Sequence, residues 1–405
     1  MVLSSPPPIR VSEEGSFARF TFENRLPAMI DNIIADNDFD RDTVSRLEAI
    51  GQDLFSGTIR PIENDGGADI ENWREYVQPF LGQPWKETPF YFAEAYFYRR
   101  ILEATRYFCE GKQFRVDPFA TKKRSSLEQA GDTIRSLAKK LENIESFTDS
   151  LQNLLYLNLW GNQADLSLDP SKSGGSGLEV DRDRKYVIID DTEDIVRFLE
   201  TPRSRFDIVA DNAGFEIVCD LILADFFLST EAVDRVCLHL KKHPTFVSDA
   251  TIEDIDFVIS FLTNDGETTV QNLGRRLQNF IDRDRLSLRD NWFWNAPLFF
   301  WEFPENLHQI LSTSDFILLK GDANYRRLVG DSHWEFTTSF SDITRYFPAT
   351  FATLRTLKSE LVVGLTSETV EAIAAEDPDW LIDGNWGVAM FQLKITNGNK
   401  HHPRT

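Results

Sequence analysis

The spacing of apolar residues changes partway along the chain, from the period of helices to short runs typical of strands. From residue 22 to about residue 166 they recur at helical spacing, as in the stripe Ile30, Ile33 and Ile34, and little in this half indicates a strand. Residues 169–177 are rich in glycine and serine, which is typical of a flexible loop. We therefore predict a mainly helical N-terminal domain over residues 1–180 and a second domain over residues 181–405.

Short β-branched or aromatic runs in the second half have the length of β-strands, and amphipathic stretches lie between most of them. Strands that alternate with helices indicate a mainly parallel sheet that is covered on both faces. The second half is therefore predicted to be a doubly wound α/β/α sandwich, the catalytic α/β domain. The predicted strands cover residues 186–189, 206–210, 235–240, 316–319 and 361–363.

Two oxygen-bearing side chains, Asp211 and Asn212, directly follow the predicted strand 206–210 and precede an apolar helix over residues 217–228. Ligands of open α/β sheets bind at the carboxyl ends of strands, so this position indicates chemistry, and a bare carboxylate with an amide suggests a metal ion. Glu216 falls in the first turn of the helix. An alternative interpretation is that Asp211 or Asn212 only caps that helix.

A second carboxylate, Asp249, follows the predicted strand 235–240. If the two strands are neighbours, Asp211, Asn212 and Asp249 meet in one crevice and form an oxygen-rich site suited to Mg²⁺ or Mn²⁺. The alternative is that Asp249 caps a helix that begins near Thr251. The pattern by itself leaves these two interpretations equally supported.

Glycine, amide, carboxylate and guanidinium groups follow the predicted strand 316–319, in residues 321–331. We predict a loop whose backbone N–H groups and Arg326 bind an anion, while Asp322 and Asn324 fix its orientation. The alternative is a turn with a helix cap and a solvated basic pair, which we adopt for Arg327. Lys358 precedes the predicted strand 361–363 and by itself is typical of a surface charge.

Composition narrows the classes of function. The chain has 405 residues, 41% hydrophobic and 12% aromatic, which is ample for globular packing. Its formal net charge of -22 argues against nucleic acid or an anionic membrane as a partner. No apolar run approaches a membrane span or a signal-peptide core, so we predict a cytoplasmic monomer, with the nucleus as a second location. The three cysteines lie in apolar patterns and are interpreted as core residues.

Several common catalytic signatures are missing from the sequence. It contains no GxSxG, no Walker loop, no HExxH and no GxGxxG motif, which removes several hydrolase and nucleotide-binding classes. His239 lies in a strand pattern and is interpreted as structural.

Four motifs in order, DNAGFE (211–216), FVSDAT (246–251), LLKGDANYRRLVGD (318–331) and RTLK (355–358), resemble the DUF89 damage-control phosphatases, in the subfamily marked by an RTxK motif. The resemblance spans most of the chain, because WGNQADLSL (160–168) and GNWGVAMFQ (384–392) are also similar. It implies a divalent metal ion, Mn²⁺, Co²⁺ or Ni²⁺ with Mg²⁺ as a further candidate, held by Asp211, Asn212 and Asp249.

The resemblance also implies an activity: hydrolysis of sugar phosphates such as fructose 1-phosphate and fructose 6-phosphate. Catalysis would then depend on Asp211, Asn212, Asp249 and Lys358. The small phosphorylated substrate would be contacted by Glu216, Asp322, Ala323, Asn324, Tyr325, Arg326 and Lys358.

Three other interpretations stay open. The subfamily carries a proposed S-adenosylmethionine-dependent methyltransferase activity on protein glutamate, although no glycine-rich loop follows a first strand to hold that cofactor. A non-catalytic binding protein would leave the strand-end carboxylates unexplained. In a covalent mechanism Asp211 would be the nucleophile, but the residue two positions later is Ala213 and not the second aspartate of haloacid dehalogenases.

Overall fold

The computed structural model describes residues 5–141, 146–161 and 184–395. Helices form the first part, as predicted, and their boundaries follow local sequence. In Arg41–Ser56, for example, Asp40 accepts a hydrogen bond from the N–H of Thr43 at 2.8 Å and begins the helix. The helices are α1 (Phe17–Phe20), α2 (Leu26–Asp36), α3 (Arg41–Ser56), α4 (Ile70–Val77), α5 (Phe90–Ala104), α6 (Ala120–Gln129), α7 (Gly131–Leu141) and α8 (Phe147–Trp160).

A π-helical turn, Thr21–Arg25, joins α1 to α2. Its wide geometry has a local cause in Pro27, near the start of α2. Proline has no N–H to donate and its ring crowds the carbonyl four residues earlier, so a regular helical ladder cannot continue through it. The N–H of Leu26 instead donates to the carbonyl of Thr21, five residues back.

Strands and helices alternate in the second part of the chain. Short 3₁₀ turns also occur, including Trp292–Asn295 and Phe300–Glu302. The elements are β1 (Val187–Asp190), α9 (Thr192–Leu199), β2 (Arg203–Val209), α10 (Phe215–Ser229), β3 (Val233–Lys241), α11 (Ile252–Thr263), α12 (Thr268–Asp282), β4 (Leu286–Asn291), α13 (Glu305–Ser312), β5 (Phe316–Lys320), α14 (Gly321–Val329), α15 (Phe340–Ile343), β6 (Phe351–Thr356), α16 (Ser367–Glu376) and β7 (Gly387–Gln392).

The strands form one sheet of seven, in the order β1-β7-β6-β5-β2-β3-β4. Neighbours are parallel except β6 and β7, which are antiparallel. The chain moves outward from β2 to β3 and β4 and then returns to β5 on the other side of β2. The strand order therefore reverses between β2 and β5, and a crevice is expected where their carboxyl ends diverge.

The two faces of the sheet are covered by different helices. Val209, Ile317 and Leu319 belong to a core shared with α1 to α5 and α14. Ile208 and Leu318 belong to a second core, shared with α6 to α12. The predicted α/β/α sandwich is thereby confirmed. The predicted boundary near residue 180 lies outside the described residues, so the division into two domains stays a prediction.

Two local predictions were wrong. Residues 361–363 are not a strand but buried irregular backbone, and the N–H of Val363 donates to the hydroxyl of Tyr325 at 3.1 Å. Their apolar character reflects burial, and the strand in this region is β6, which contains the first half of the RTLK motif. Residues 321–329 are not a loop but helix α14, which begins directly at the end of β5. No helix of the described residues is long and apolar enough to cross a membrane.

Candidate active site at the carboxyl ends of the strands

A short backbone ladder beyond β2 brings the DNAGFE and FVSDAT segments together. Asn212 and Asp249 form an antiparallel bridge, and the N–H of Ala250 donates to the carbonyl of Asp211 at 2.8 Å. The side chains of Asp211, Asn212 and Asp249 all line one cavity. The convergence predicted for these three residues is therefore present. The strands that precede them, β2 and β3, are neighbours, as the prediction required, and the bridge beyond the strand ends is an additional pairing that strand prediction did not include.

The backbone that presents Asp249 is strained. Phe246 and Val247 have φ values of 47° and 65°, in the left-handed region that non-glycine residues rarely adopt. For Val247 the branched β-carbon makes this conformation particularly costly. The ring of Phe246 is held 4.8 Å from the ring of Tyr98. Strain of this kind persists where surrounding packing over-determines it, and it is common at functional sites.

Helix capping does not explain the strand-end carboxylates. Helix α10 begins after Gly214, with φ 70°, and no side-chain hydrogen bond caps it within the described part of the chain. Helix α11 begins after Thr251, in a capping box completed by Asp254. The capping interpretations of Asp211, Asn212 and Asp249 were wrong.

Acidic groups crowd the site, and one of them, Asp211, has no cation paired with it among the described residues. The Asn212 amide nitrogen donates to Asp211 Oδ2 at 2.9 Å and to Glu216 Oε2 at 2.8 Å. Burial raises the pKa of Asp211 well above its usual range, and the nearby Glu216 and Asp249 raise it further against the opposing effect of Lys241 and Lys358. The ionised form of Asp211 is therefore costly without a counter-charge, which a bound cation would supply.

Asp249 is buried beside one lysine. Burial raises the pKa of Asp249, and Lys241 partly opposes this effect. Lys241 Nζ lies 3.2 Å from Asp249 Oδ2, and it donates to the carbonyl of Trp294. Asp249 Oδ2 nevertheless has no partner in hydrogen-bond geometry among the described residues. A buried carboxylate oxygen without a hydrogen bond is costly and marks a position where a ligand is expected.

The space beside Asp211 suits a small cation. Gly321 has φ 81°, and a β-carbon built on it would lie 1.9 Å from Asp211 Oδ2, so no other residue fits there without displacing the carboxylate. The carboxylates of Asp211 and Asp249 match the oxygen ligands that hard divalent ions prefer. Asn212 turns its amide nitrogen toward Asp211 and accepts a hydrogen bond from Ser248 at its oxygen. Ligation through that oxygen requires rotation of the amide.

A second group of possible ligands lies inside the sheet. Asp207, Cys237 and His239 can each bring one ligand atom within 4.8 Å of the others. Asp207 is already bound by both Nε and an NH2 group of Arg205, at 2.7 Å each, and lies 3.0 Å from His239 Nε2. A metal ion there would compete with this guanidinium, and none of the three residues lines the cavity. We therefore favour the strand-end carboxylates as the metal ligands of the cavity.

The RTLK motif is folded around Asp322. Asp322 Oδ1 accepts hydrogen bonds from Arg355 Nε at 2.8 Å and Ser359 Oγ at 3.0 Å, and lies 3.4 Å from the backbone nitrogen of Lys358. Burial acts to raise the pKa of Asp322, but Arg355 and Arg326 outweigh it and the pKa is lowered. Asp322 therefore holds the turn that carries Lys358. Within the described ranges no acceptor binds Lys358 Nζ, and the side chain lines the cavity.

The polar side chains predicted to bind an anion in residues 321–331 are bound to other groups of the protein. Arg326 donates to Glu94 at 2.6 Å and, through two nitrogens, to Asp331 at 2.7 and 3.0 Å. Asn324 is fully buried and donates to the carbonyl groups of Lys320 and Ala210. Tyr325 is fully buried as well. Asp322, Ala323 and Arg326 line the cavity, whereas Asn324 and Tyr325 do not.

The solvated position predicted for Arg327 was wrong. Its side chain is fully buried, and it donates to the carbonyl groups of Phe293, Trp294 and Leu298. Long apolar and aromatic neighbours cover it, which a pattern of adjacent arginines does not reveal.

Two buried lysines support the site from behind, and sequence reasoning did not single them out. Lys320 donates to Asp220 at 2.7 Å and lies 3.6 Å from Glu216. Burial acts to lower the pKa of Lys320, but Asp220 and Glu216 outweigh it and the pKa is raised. Lys241 is the other. Lys320 is the last residue of β5, and Lys241 is the last residue of β3. A lysine at the end of a buried strand is the feature of the sequence that could have indicated them.

The cavity has a volume of about 270 Å³ and is enclosed by both halves of the chain. Glu216, Ser248 and Thr356 contribute from the strand ends. Phe17, Thr21, Arg25 and Tyr98 contribute from the N-terminal helices. The volume accommodates a small polar metabolite.

Comparison with known proteins gives consistent results. A family model described as the damage-control phosphatase ARMT1-like domain matches residues 21–373. The chain is 31% identical to damage-control phosphatase ARMT1 of Danio rerio, with 95% of this chain and 97% of that protein covered. It is 29% identical to the protein of that name from Homo sapiens, with coverage of 95% and 98%. A crystal structure of a DUF89 family protein from Pyrococcus horikoshii aligns with a TM-score of 0.47 and 14% identity, over 92% of this chain and 98% of that one.

Proposed function

The chain belongs to the damage-control phosphatase ARMT1-like family, and on this premise we propose that it is a metal-dependent phosphatase of sugar phosphate monoesters. Fructose 1-phosphate and fructose 6-phosphate are the proposed substrates. One observation carries the proposal: Asp211, a buried carboxylate with no paired cation among the described residues, lines the same cavity as Lys358, whose Nζ has no acceptor in that part of the chain.

Asp211 and Asp249 are the residues we propose to hold the ion, with Asn212 as a third ligand after rotation of its amide. A divalent ion bound there supplies Lewis-acid polarisation of a phosphoryl oxygen and lowers the pKa of water. The buried Asp249 Oδ2, which no well-aligned hydrogen-bond donor of the described residues binds, and the Asp211 carboxylate, which packs against Gly321 and lines the cavity, support this assignment. Mn²⁺, Co²⁺ and Ni²⁺ are the candidate ions, with Mg²⁺ as a further one.

Lys358 is proposed to bind the transferring phosphoryl group. Its Nζ has no acceptor among the described residues, and Asp322 fixes its backbone. A positive charge that is already oriented toward the phosphate costs little reorganisation when charge develops during transfer. Lys358 therefore neutralises the phosphate without taking part in metal binding.

Asp249 is proposed to orient the attacking water and to accept its proton at the carboxylate oxygen that does not bind the ion. A carboxylate whose pKa is raised by burial is a stronger base than one in solvent. Glu216 is proposed to contact a sugar hydroxyl, because its carboxylate lines the cavity and is held by Asn212 on one side and Lys320 on the other. Such a contact would favour a polyol phosphate over inorganic phosphate.

Methyl transfer from S-adenosylmethionine is not proposed. Helix α10 is entered through the single glycine Gly214, with φ 70°, and no observation among the described residues favours that cofactor.

The test is phosphate release by metal-stripped protein from a panel of sugar phosphates, with Mn²⁺, Co²⁺, Ni²⁺ or Mg²⁺ added back. We expect turnover only with added metal, highest on the fructose phosphates, and none in Asp211→Ala. Turnover without metal, or an unchanged rate in Asp211→Ala, would remove the central claim. A beryllium fluoride adduct on the Asp211 carboxylate would show that this residue is a nucleophile and not only a ligand.

A further inference from the structure

Carboxylates line the cavity, which is a problem for a phosphatase: Glu94, Asp211, Glu216, Asp249 and Asp322. Four of them pair with cations that are thereby engaged, namely Arg326, Lys320, Lys241 and Arg355. A phosphate monoester is itself a dianion near neutral pH. Like charges at short range repel strongly in a partly desolvated site. At least one cation besides the metal and Lys358 is therefore expected to face the substrate.

Arg326 does not meet this need. Its guanidinium is bound by Glu94 on one side and Asp331 on the other, and lies over the rings of Phe90 and Tyr91 at 4.4 and 5.2 Å. Phosphate binding by this group would break hydrogen bonds to two buried carboxylates. Arg326 instead joins α14 to α5 through its ion pair with Glu94.

Arg25 offers the missing guanidinium. It lies at the end of the π-helical turn Thr21–Arg25 and lines the cavity from the side opposite the strand ends. No carboxylate pairs with Arg25 in the described ranges. Its guanidinium carbon lies 5.3 Å from the centre of the Phe17 ring. A planar guanidinium binds two oxygens of a phosphate at once.

The neighbouring Thr21 gives a second, independent indication. Its side chain is 3% exposed and lines the cavity, and its hydroxyl has no hydrogen-bond partner among the described residues. Buried hydroxyl groups are normally satisfied, so an unsatisfied one in a cavity wall indicates a ligand. Phe17, Thr21 and Arg25 follow one another at four-residue intervals on the wall. The π turn that Pro27 imposes places them there, and such turns are frequent at functional sites.

The segment lies close to the lysine side of the site. The backbone of Phe17 is near the carboxylate of Glu360, two residues after Lys358. The start of α1 and the RTLK turn are therefore neighbours, as a two-sided phosphate site requires.

We propose that Arg25, assisted by the Thr21 hydroxyl, binds the phosphate of the substrate together with Lys358, in the role that the sequence predicted for Arg326. This inference rests on the proposed phosphatase function. It makes the N-terminal helices a substrate-binding half of the active site. Lys122 on α6 also lines the cavity and is the competing candidate. Among the described residues no ion pair is formed by it, and the buried hydroxyl without a partner in the cavity wall is that of Thr21.

The experiment compares Arg25→Gln with Arg19→Gln, which removes a cation of the same segment that is paired with Glu23 on the surface. We measure kcat/KM on the best sugar phosphate, the affinity for inorganic phosphate by calorimetry in the presence of metal, and the affinity for the metal alone. In Arg25→Gln we expect phosphate affinity to fall by about 10- to 100-fold, as for lost hydrogen bonds to a charged group. Metal affinity should not change, and Arg19→Gln should match the wild type.

Two further variants separate binding from folding. Arg25→Ala should regain activity when millimolar methylguanidinium is added, which a purely structural defect would not allow. Thr21→Val should raise KM by a few-fold, about the effect of one neutral hydrogen bond, and Thr21→Ser should not. Equal phosphate affinity in Arg25→Gln and Arg19→Gln, or a loss confined to Lys122→Gln, would overturn the inference. A wild type that binds phosphate through Arg25 yet hydrolyses no sugar phosphate would refute the proposed function alone.

Discussion

Asp207 and Asp211 lie four residues apart, one within β2 and one just beyond it, and their surroundings are opposite. Asp207 is fully buried and its carboxylate is bound by Arg205 and lies against His239. Asp211 lines the cavity, and burial together with the neighbouring carboxylates raises its pKa. A buried carboxylate that is fully paired stabilises the sheet, whereas one left without a counter-charge identifies the site.

The geometry of a strand accounts for this difference. Within β2, residues two apart face the same side, so Arg205 is placed beside Asp207, and the parallel partner β3 adds His239. Beyond Val209 the strand has ended, and the neighbours of Asp211 come from the first turn of α10 and from the segment after β3. These bring Glu216 and Asp249, which are acidic. Regular strand pairing thus places a counter-charge beside Asp207. Because the strand ends before Asp211, that residue stays available for a cation.

Replacement of the unpaired aspartate should have the largest effect. We expect Asp211→Asn to lower kcat/KM by about 10³-fold or more, since charge stabilisation through a bound ion contributes several kcal/mol. Metal affinity, measured by calorimetry, should fall in parallel. If the variant kept wild-type metal affinity, the distinction between the two aspartates would not concern the metal.

Cations differ in the same way: Arg205 is paired with Asp207, whereas Lys358 has no acceptor among the described residues. The variant Lys358→Ala tests this difference. We expect a loss of about 10²-fold in kcat/KM with metal content retained, because Lys358 contacts phosphate and not the ion. Lys185→Ala, at a surface lysine paired with Glu376, is the matched control. Loss of metal from the Lys358 variant would show that the lysine organises the ligands instead.

Replacement of the paired aspartate should affect stability and not the site. Asp207→Asn leaves Arg205 and His239 without their partner, and we expect it to lower the free energy of unfolding by about 3 kcal/mol. Urea titration at pH 7 measures this value, with Asp194→Asn at an exposed pair as the control. Metal affinity per folded molecule should not change; a decrease would place the Asp207 group within the metal site.

The smallest predicted effect concerns the pH dependence of stability in protein treated with a chelator. The pKa of Asp211 is raised in the folded state, so its contribution to stability is fully present below the unfolded pKa, near about 3.9. It is lost as pH rises through the higher folded pKa. Asp211→Asn should therefore be as stable as wild type in acid and more stable at pH 7, by at least ~1 kcal/mol. Urea titrations across this pH range that ran parallel would contradict the raised pKa.

Much of the fold followed from local patterns. The helices Leu26–Asp36 and Phe90–Ala104 and the strands β2, β3 and β5 lie where the spacing of apolar residues predicted them. Residues 361–363 were misassigned because a short apolar run does not distinguish a buried strand from buried irregular backbone. The sequence predicts a loop in place of helix α14 because the glycine, aspartate and asparagine at the start of this helix are also common in turns.

Site residues could be predicted from the sequence where their position at a strand end identifies them. They could not be predicted where their role depends on which distant residue pairs with them. The positions of Asp211, Asn212 and Asp249 beyond strands were visible in the sequence. The pairing of Arg326 with Glu94, 232 positions away, was not. Arg25 carried no signal that separates it from surface arginines, although Pro27 next to it marks a break in the helix.

The sequence by itself determined which residues end the strands and which chemistry their side chains offer, because strand period and side-chain type are local properties. Only the tertiary structure decided which of these charges are already paired. Asp207 and Arg326 gain partners from β3 and α5, whereas Asp211, Lys358 and Arg25 meet at a cavity without them. Whether a charge is compensated depends on residues distant in sequence, and that compensation distinguishes a structural ion pair from a binding group.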